Sequence, residues 1–483
     1  MSIRKSLLTT CIDRYVSLAI NIGSTVVLAR LLTPNEVGAF SVAMVLISVM
    51  SMMRQMGAGQ YLVQEKELTE DRIRAVWSVQ LGVGLLLSLV VAGMAVPASH
   101  LYGDARIRDI LFVLAANFAV TPFGSVTCVW LTREMRFGPL ALMNFAYAAS
   151  GAAVSIFLAW KGHGAISLAW GNLAGTVANA LTAMCFRPRN YPWLPGRREV
   201  RRVLAFGARV SSSSLADTLA RGAPEFLLGK LQDLTSAGFF SRANGLVSLF
   251  HRLVFDVVSS VAASAFAKQS RESRDVRTPF LLGIAHVTVL CWSFIGVVIL
   301  LAPMLIRLLY GPQWESSIEL VRWLGGALIF SAPAALCTAA LTGLGQARLV
   351  LRASLFSSAV ALPLFIAAGF HGMQAMSAAV LVASILSTAY WLRSTRKILG
   401  FSWAELAAHC RHSALVAVAT AIPPALVITL WGSAPGQTLT TLSLGVAGAA
   451  AGFLAALVQQ GHPLFHELQR ILSHRGMLSA RKP

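Results

Sequence analysis

The sequence has 483 residues, of which 56% are hydrophobic and only 12% charged. A soluble surface carries roughly twice that charge, so a solvated globule is excluded, as are disordered and collagen-like chains. Lys and Arg number 40 against 20 Asp and Glu, but the cations stand in short clusters between apolar runs rather than on one basic face. That pattern argues for membrane topology over nucleic-acid binding.

Apolar windows long enough to cross about 30 Å of hydrocarbon recur from end to end. The predicted spans are 8–31, 37–56, 74–97, 108–131, 138–160, 163–186, 203–228, 236–266, 279–301, 319–343, 347–369, 373–393, 412–431 and 438–459. The chain therefore reads as an all-α polytopic membrane protein with about 14 transmembrane helices. The first span follows Arg4 and Lys5 and carries Asp13, Arg14 and Asn21, too long and polar a stretch for a cleaved leader. Cys11, Cys128, Cys185, Cys291, Cys337 and Cys410 are scattered without a CxxC pair and read as small packing residues.

Alternate loops differ sharply in cation content. One set holds Arg4, Lys5, Lys66, Arg72, Arg74, Arg133, Arg136, the run from Arg187 to Arg202, Lys268 to Arg277, Arg348, Arg352, Arg393, Arg396, Lys397 and the C-terminal Arg470 to Lys482. The other offers Arg30, Arg106, Arg108, Lys161, Lys230 and Arg307. Because cation-rich loops stay in the cytoplasm, both termini of this multi-pass chain are expected there.

The connector RPRNYPWLPGRREVRR (Arg187 to Arg202) falls between the sixth and seventh spans and reads as a linker between two bundles. An internal repeat supports that division. ARLLTPNEVGAFSVA (Ala29 to Ala43) aligns without gaps on GKLQDLTSAGFFSRA (Gly229 to Ala243), with Gly38 on Gly238, Phe40 on Phe240 and Arg30 on Lys230. Leu101-Tyr102-Gly103 recurs as Leu309-Tyr310-Gly311, each before a span with a central proline, Pro122 or Pro333. Two parallel six-helix repeats around a central cavity are expected, with 1–196 the N-terminal lobe, 197–400 the C-terminal lobe, and 401–483 two additional helices and a basic tail.

Catalytic and metal signatures are missing: the sequence has no GxxxxGK[ST], HExxH or GxSxG. No cofactor, metal or catalytic residue is expected, and the chain does not read as an enzyme. A membrane glycosyltransferase or polymerase would need acids grouped at one face. What remains is charge at bilayer depth, which is costly and marks transport pathways.

Asp217, Arg221 and Glu225 are four apart and share one helix face, a step repeated by Arg252 and Asp256. These read either as intrahelical ion pairs or as cavity lining. Arg14, Arg209 and Arg242 have no comparable acid one turn away and read as cavity lining. Arg221-Gly222-Ala223-Pro224 is expected to kink the seventh span, making Gly222 and Pro224 a hinge or merely a tolerated bend. A surplus of guanidinium suits a polyanionic headgroup, because the planar fork binds phosphate oxygens bidentately. A drug-cation exporter would favour acids instead.

The run ARLLTPNEVGAFSVAMVLIS, Gly57-Ala58-Gly59-Gln60, LVQEKELTEDRIRAVW (Leu62 to Trp77) and LLGKLQDLTSAGFFSRANGL (Leu227 to Leu246) resemble the polysaccharide transporter family over roughly residues 1–400. These are Wzx-type flippases of lipid-linked oligosaccharides, in the superfamily that also holds multidrug exporters, and the likeness is to the colanic-acid-exporter branch. The resemblance implies a bilobed transporter of undecaprenyl-diphosphate-linked glycans in the bacterial inner membrane. Its partners would be the bilayer, a polysaccharide polymerase and chain-length proteins, and not nucleic acid.

Arg14, Arg209, Arg221, Arg242 and Arg252 would then supply the cationic cavity. Asp13, Asp217, Glu225 and Asp256 would orient the arginines or carry a coupling proton or sodium ion. The acid usual late in the seventh helix corresponds to Glu225, directly after a proline. A peptidoglycan-precursor flippase or a multidrug exporter of the same fold are the alternatives.

Overall fold

The computed structural model describes the backbone of residues 3–54, 69–188, 191, 195–196, 199–272, 274–431, 438–465, 467 and 469; within these, the side chains of 3–12, 201–216, 256, 257, 260, 431 and 438 are left out. Regular structure among the described residues is helical throughout. The chain divides into two compact units, Met1–Gly238 and Phe239–Pro483.

The first unit contains α1 (Ile3–Leu31), α2 (Pro34–Arg54), α3 (Glu70–Tyr102), α4 (Ala105–Val120), α5 (Pro122–Arg133), α6 (Phe137–Trp160), α7 (Ile166–Cys185) and α8 (Val200–Leu231). Helix α1 packs on α6, α6 on α7, α3 on α4, and α8 on α2 and α3. Helix α2 starts with a reciprocal cap read directly from Thr33-Pro34-Asn35-Glu36. The Thr33 N–H donates to Glu36 Oε2 at 2.8 Å and the Glu36 N–H to Thr33 Oγ1 at 3.3 Å.

The described part of the interlobe connector is strapped to the start of α3. The Gly196 N–H donates to Ser78 Oγ at 2.7 Å, that hydroxyl donates to Gly196 O at 2.8 Å, and Arg187 lies over the Trp77 ring. It packs on the N-terminal unit rather than running free.

Helix α9 (Leu234–Phe250) begins at the unit boundary; Asp233 caps it by accepting the Ser236 N–H at 2.6 Å. The second unit continues with a π-turn (His251–Phe255), α10 (Asp256–Arg271), α11 (Arg277–Leu309), α12 (Ser317–Ser331), α13 (Cys337–Gly343), α14 (Ala347–Gly369), α15 (Met373–Leu399), α16 (Trp403–Trp431) and α17 (Thr438–Gln459). Helix α11 is its hub, packing on α12, α16 and α17, and α15 packs on α12 and α14. The two helices beyond the repeat are thus attached through α11. Arg277 pairs there with Glu405, and the Thr288 and Ser413 hydroxyls meet at 2.9 Å.

The fourteen predicted spans fall on these helices. Among the described residues nine helices are long and apolar enough to cross a membrane, and ten if the α4–α5 pair, bent by 48°, is one span. The count of fourteen crossings is not reached on that measure, because α1, α8 and the rod 234–271 carry the charges discussed below, and α7 is diluted by Asn172, Asn179 and its glycines.

Both proline breaks are where the repeat puts them. Helix α4 ends at Val120 before Pro122, and a 3-10 turn at Ala332–Ala334 holds Pro333. Both Leu-Tyr-Gly turns use a left-handed glycine, Gly103 at φ 67° and Gly311 at φ 101°, where a side chain would strain the backbone. The seventh span behaves differently. Helix α8 runs without interruption from Val200 to Leu231 with Pro224 inside. Pro224 is buried, and packed helices of this kind tolerate a missing backbone donor.

Candidate functional site

Two structural features organise the charged helices. The first is the crossing of α2 with the start of α9 at the repeat-equivalent glycines. A Cβ on Gly38 would fall 1.6 Å from the Leu234 carbonyl oxygen, and one on Gly238 would fall 1.9 Å from that of Pro34. Only glycine permits so close a backbone approach. The crossing is laced by side chains around it. Asn35 Nδ2 donates to Thr235 Oγ1 at 3.2 Å, and Arg106 donates to Asn35 and to Asp104 (Nε to Oδ1, 3.0 Å). The hydrogen bond from Arg106 holds the Asp104 carboxyl below its ordinary pKa.

Alongside, Lys230 Nζ donates to Leu101 O at 2.6 Å and the Tyr102 hydroxyl to Phe226 O at 3.3 Å. All these groups sit at the end of the unit away from the Arg-rich connectors. They tie the last turn of α8 to the last turn of α3.

The second feature is the π-turn His251–Phe255, which interrupts the helix that continues from α9. Such turns widen the backbone and concentrate at functional positions. Arg252 lies inside it, exposed, with Nη2 at 3.5 Å from Ser248 Oγ. Ten residues earlier, Arg242 lies over the fully buried Trp314 ring, 5.5 Å from its centroid. Both guanidiniums act on the Tyr310 hydroxyl, whose pKa burial raises and whose phenolate they favour. Arg242 and Arg252 therefore share one neighbourhood, next to the repeat's second Leu-Tyr-Gly turn.

The remaining sequence candidates distribute as follows. Asp13 accepts from Asn144 Nδ2 at 2.9 Å and from Ser17 Oγ at 3.4 Å, fixing α1 to α6, while Arg14 is exposed. On α8, Arg221 is exposed and Asp217 and Glu225 are half-buried. Gly222 faces α2, where an added Cβ would meet Val45 Cγ1 at 2.6 Å, so its small size serves a helix contact. The side chains of Arg209 and Asp256 lie outside the described residues. Sequence reasoning missed the π-turn, Asn144, Trp314 and the mutual contact of the two repeat glycines. The last had a signal, since both glycines stood at one repeat position.

Among the described residues the chain is thus a helical bundle with membrane-length apolar helices, charges on its polar helices and repeat-related helices crossing at glycine. Solved structures agree on the fold. "Lipid II flippase MurJ, inward closed conformation" superposes with a TM-score of 0.76 at 14% identity, covering 94% of this chain and 99% of that one. An inward-facing multidrug resistance MATE transporter of the MOP superfamily gives 0.62 at 14%, covering 82% and 98%.

Residues 27–319 match the family model described as "Polysaccharide biosynthesis protein", and the chain belongs to that family. It is 25% identical over 305 residues to the succinoglycan biosynthesis transport protein ExoT of Rhizobium meliloti (strain 1021), covering 60% of this chain and 58% of that protein. To the lipopolysaccharide biosynthesis protein WzxC of Escherichia coli (strain K12) it is 18% identical over 332 residues, 67% of each. The match thus spans less than two thirds of the first of these relatives. By name, both relatives serve polysaccharide biosynthesis, and the first is a transport protein.

Proposed function

We propose that the chain is a flippase that moves an undecaprenyl-diphosphate-linked oligosaccharide repeat unit across the bacterial inner membrane by alternating access. Its product would feed O-antigen, exopolysaccharide or capsule synthesis, with a polysaccharide polymerase and chain-length proteins acting on what it delivers. The observation that carries this reading is the surplus of guanidinium on polar helices of a protein in a polysaccharide-biosynthesis family. Arg14, Arg221 and Arg252 are exposed on their helices and Arg242 is half-buried, and Arg209 stands on α8. Such forks complement the diphosphate oxygens, while the polyprenyl tail stays in lipid.

An interior-negative membrane potential would assist outward movement of anionic charge by about 2.3 kcal/mol per charge per 100 mV. Asp13, Asp217, Glu225 and Asp256 would orient the arginines or carry a coupling proton or sodium ion.

The test is genetic and chemical. Deleting the gene should stop surface glycan and leave the lipid-linked repeat unit accumulating on the cytoplasmic leaflet. Normal surface glycan without precursor build-up overturns the proposal. A peptidoglycan-precursor flippase, the second reading favoured by the fold, would instead arrest cell-wall synthesis when deleted.

A further inference from the structure

The second unit holds a cavity that plays no part in the features above. It opens between the N-terminal ends of α12 and α15, has a volume of about 700 Å³, and is lined by Glu315, Glu319, Arg322, Trp323 and Gln374, with Ser316 at its edge. That volume falls within the range of small-ligand sites. Gln374 Nε2 donates to Glu319 Oε2 at 2.6 Å, joining the two helices at this open site. Glu315 accepts from Arg307 Nε at 2.7 Å. Trp323 is 37% exposed, so its ring is available.

The chemistry of this lining is specific. A carboxylate and a carboxamide side by side present an acceptor and a donor within one hydrogen-bond length, which matches vicinal hydroxyls that both give and take protons. The indole offers a flat apolar face with a polar edge, suited to the C–H face of a pyranose. Arg307 and Arg322 balance Glu315 and Glu319, so the lining has no cationic surplus of the kind that draws phosphate. An interfacial tryptophan that merely anchors the helix explains neither the bridged Glu319–Gln374 pair nor the cavity.

We propose that this cavity is a saccharide subsite, for neutral or amino sugars, that engages the glycan once it reaches the side opposite the Arg-rich loops. The inference rests on the flippase reading, and on that end of the second unit facing outward.

The probe is Ser316→Cys, a small change at an exposed edge position, labelled in whole cells with a membrane-impermeant maleimide. The unsubstituted chain, with its own cysteines, is the blank. Labelling is compared between a strain making the lipid-linked glycan and one lacking the transferase that loads the first sugar on the carrier. Labelling should be about fivefold slower in the glycan-making strain, the protection given by ligand at about four times its dissociation constant. Adding Trp323→Ala, or Glu319→Gln should the alanine variant not reach the membrane, should abolish the difference.

Equal labelling in the two strains overturns the subsite, a lipid headgroup filling the cavity being one way to that result. No labelling in either strain overturns its outward placement. The two proposals separate cleanly. If deletion stops glycan export but labelling is equal, only the subsite fails; if deletion leaves export intact, the flippase reading fails.

Discussion

Gly38 and Gly238 occupy the same position in the two sequence repeats and pack against each other. The contact is isologous. Each glycine lies over the carbonyl of the residue four before its partner, Leu234 for Gly38 and Pro34 for Gly238. Equivalent small residues thus face each other, as in symmetric interfaces.

A methyl group at this axis has nowhere to go, because both obstructions are backbone. Gly38→Ala and Gly238→Ala should each push the helices apart at a cost of about 1–3 kcal/mol. Surface glycan should fall sharply at unchanged membrane levels of protein. Gly245→Ala on the same α9 helix is the control, since nothing lies within 4 Å of its added Cβ. Equal export in Gly238→Ala and Gly245→Ala would remove the crossing from the transport cycle.

Much of this was legible in the sequence. The apolar windows located the helices, and the repeated Leu-Tyr-Gly and Pro122/Pro333 located two turns and two breaks, because glycine and proline act through local geometry. The π-turn at His251–Phe255 escaped because it contains neither residue. It inserts one residue into a helix whose side chains look ordinary. Pro224 misled for the opposite reason: a local rule predicts a break, but burial against neighbouring helices holds α8 together. The site partnerships, Asp13 with Asn144, Arg242 with Trp314 and Glu319 with Gln374, join residues 131, 72 and 55 positions apart. No spacing rule reaches that far.

The polar lacing around the crossing can be used as a lock. Asn35 and Thr235 touch through their side chains at 3.2 Å, so Asn35→Cys with Thr235→Cys should form a disulfide under mild oxidation. If that end of the pathway must open in each cycle, oxidation should stop export and reductant should restore it. The single cysteine variants should export normally under both conditions. Full export by the cross-linked protein would show that these residues do not separate during transport.

His462 should make stability depend on pH. It is fully buried; Nδ1 accepts the Leu464 N–H at 3.2 Å, leaving Nε2 to donate to Ser413 Oγ, also at 3.2 Å. Protonating Nδ1 would set two N–H groups against each other. Burial first, then the nearby His286 and His412, push its pKa down to about 4. A histidine held neutral contributes fully above its ordinary pKa of 6.5, and that contribution is lost as pH falls from there towards 4. Thermal unfolding in detergent should therefore drop more between pH 7.5 and pH 5 for the native chain than for His462→Gln, whose amide can still donate to Ser413. Parallel drops would place the acid-sensitive group elsewhere.

Arg242 offers the sharpest test of the cationic pathway, because its structural and functional roles predict different rescue. Its guanidinium lies over the buried Trp314 ring, a contact worth about 1–2 kcal/mol when desolvated, and it neighbours Tyr310 and Arg252. Arg242→Ala removes both the stacking and the charge. Arg242→Lys keeps the charge and a cation–π contact but loses the planar fork. If Arg242 only holds the Leu-Tyr-Gly turn in place, Lys should restore protein level and export together. If it also binds a diphosphate, Lys should restore the protein level while export stays roughly tenfold or more below normal, the loss expected when a charged hydrogen bond of about 1.5–3 kcal/mol disappears. The readouts are membrane-inserted protein, surface glycan and the lipid-linked precursor on the cytoplasmic leaflet. Full export from Arg242→Lys would confine Arg242 to packing on Trp314 and shift the burden of anion binding to the exposed Arg252 in the π-turn, where the same pair of substitutions decides.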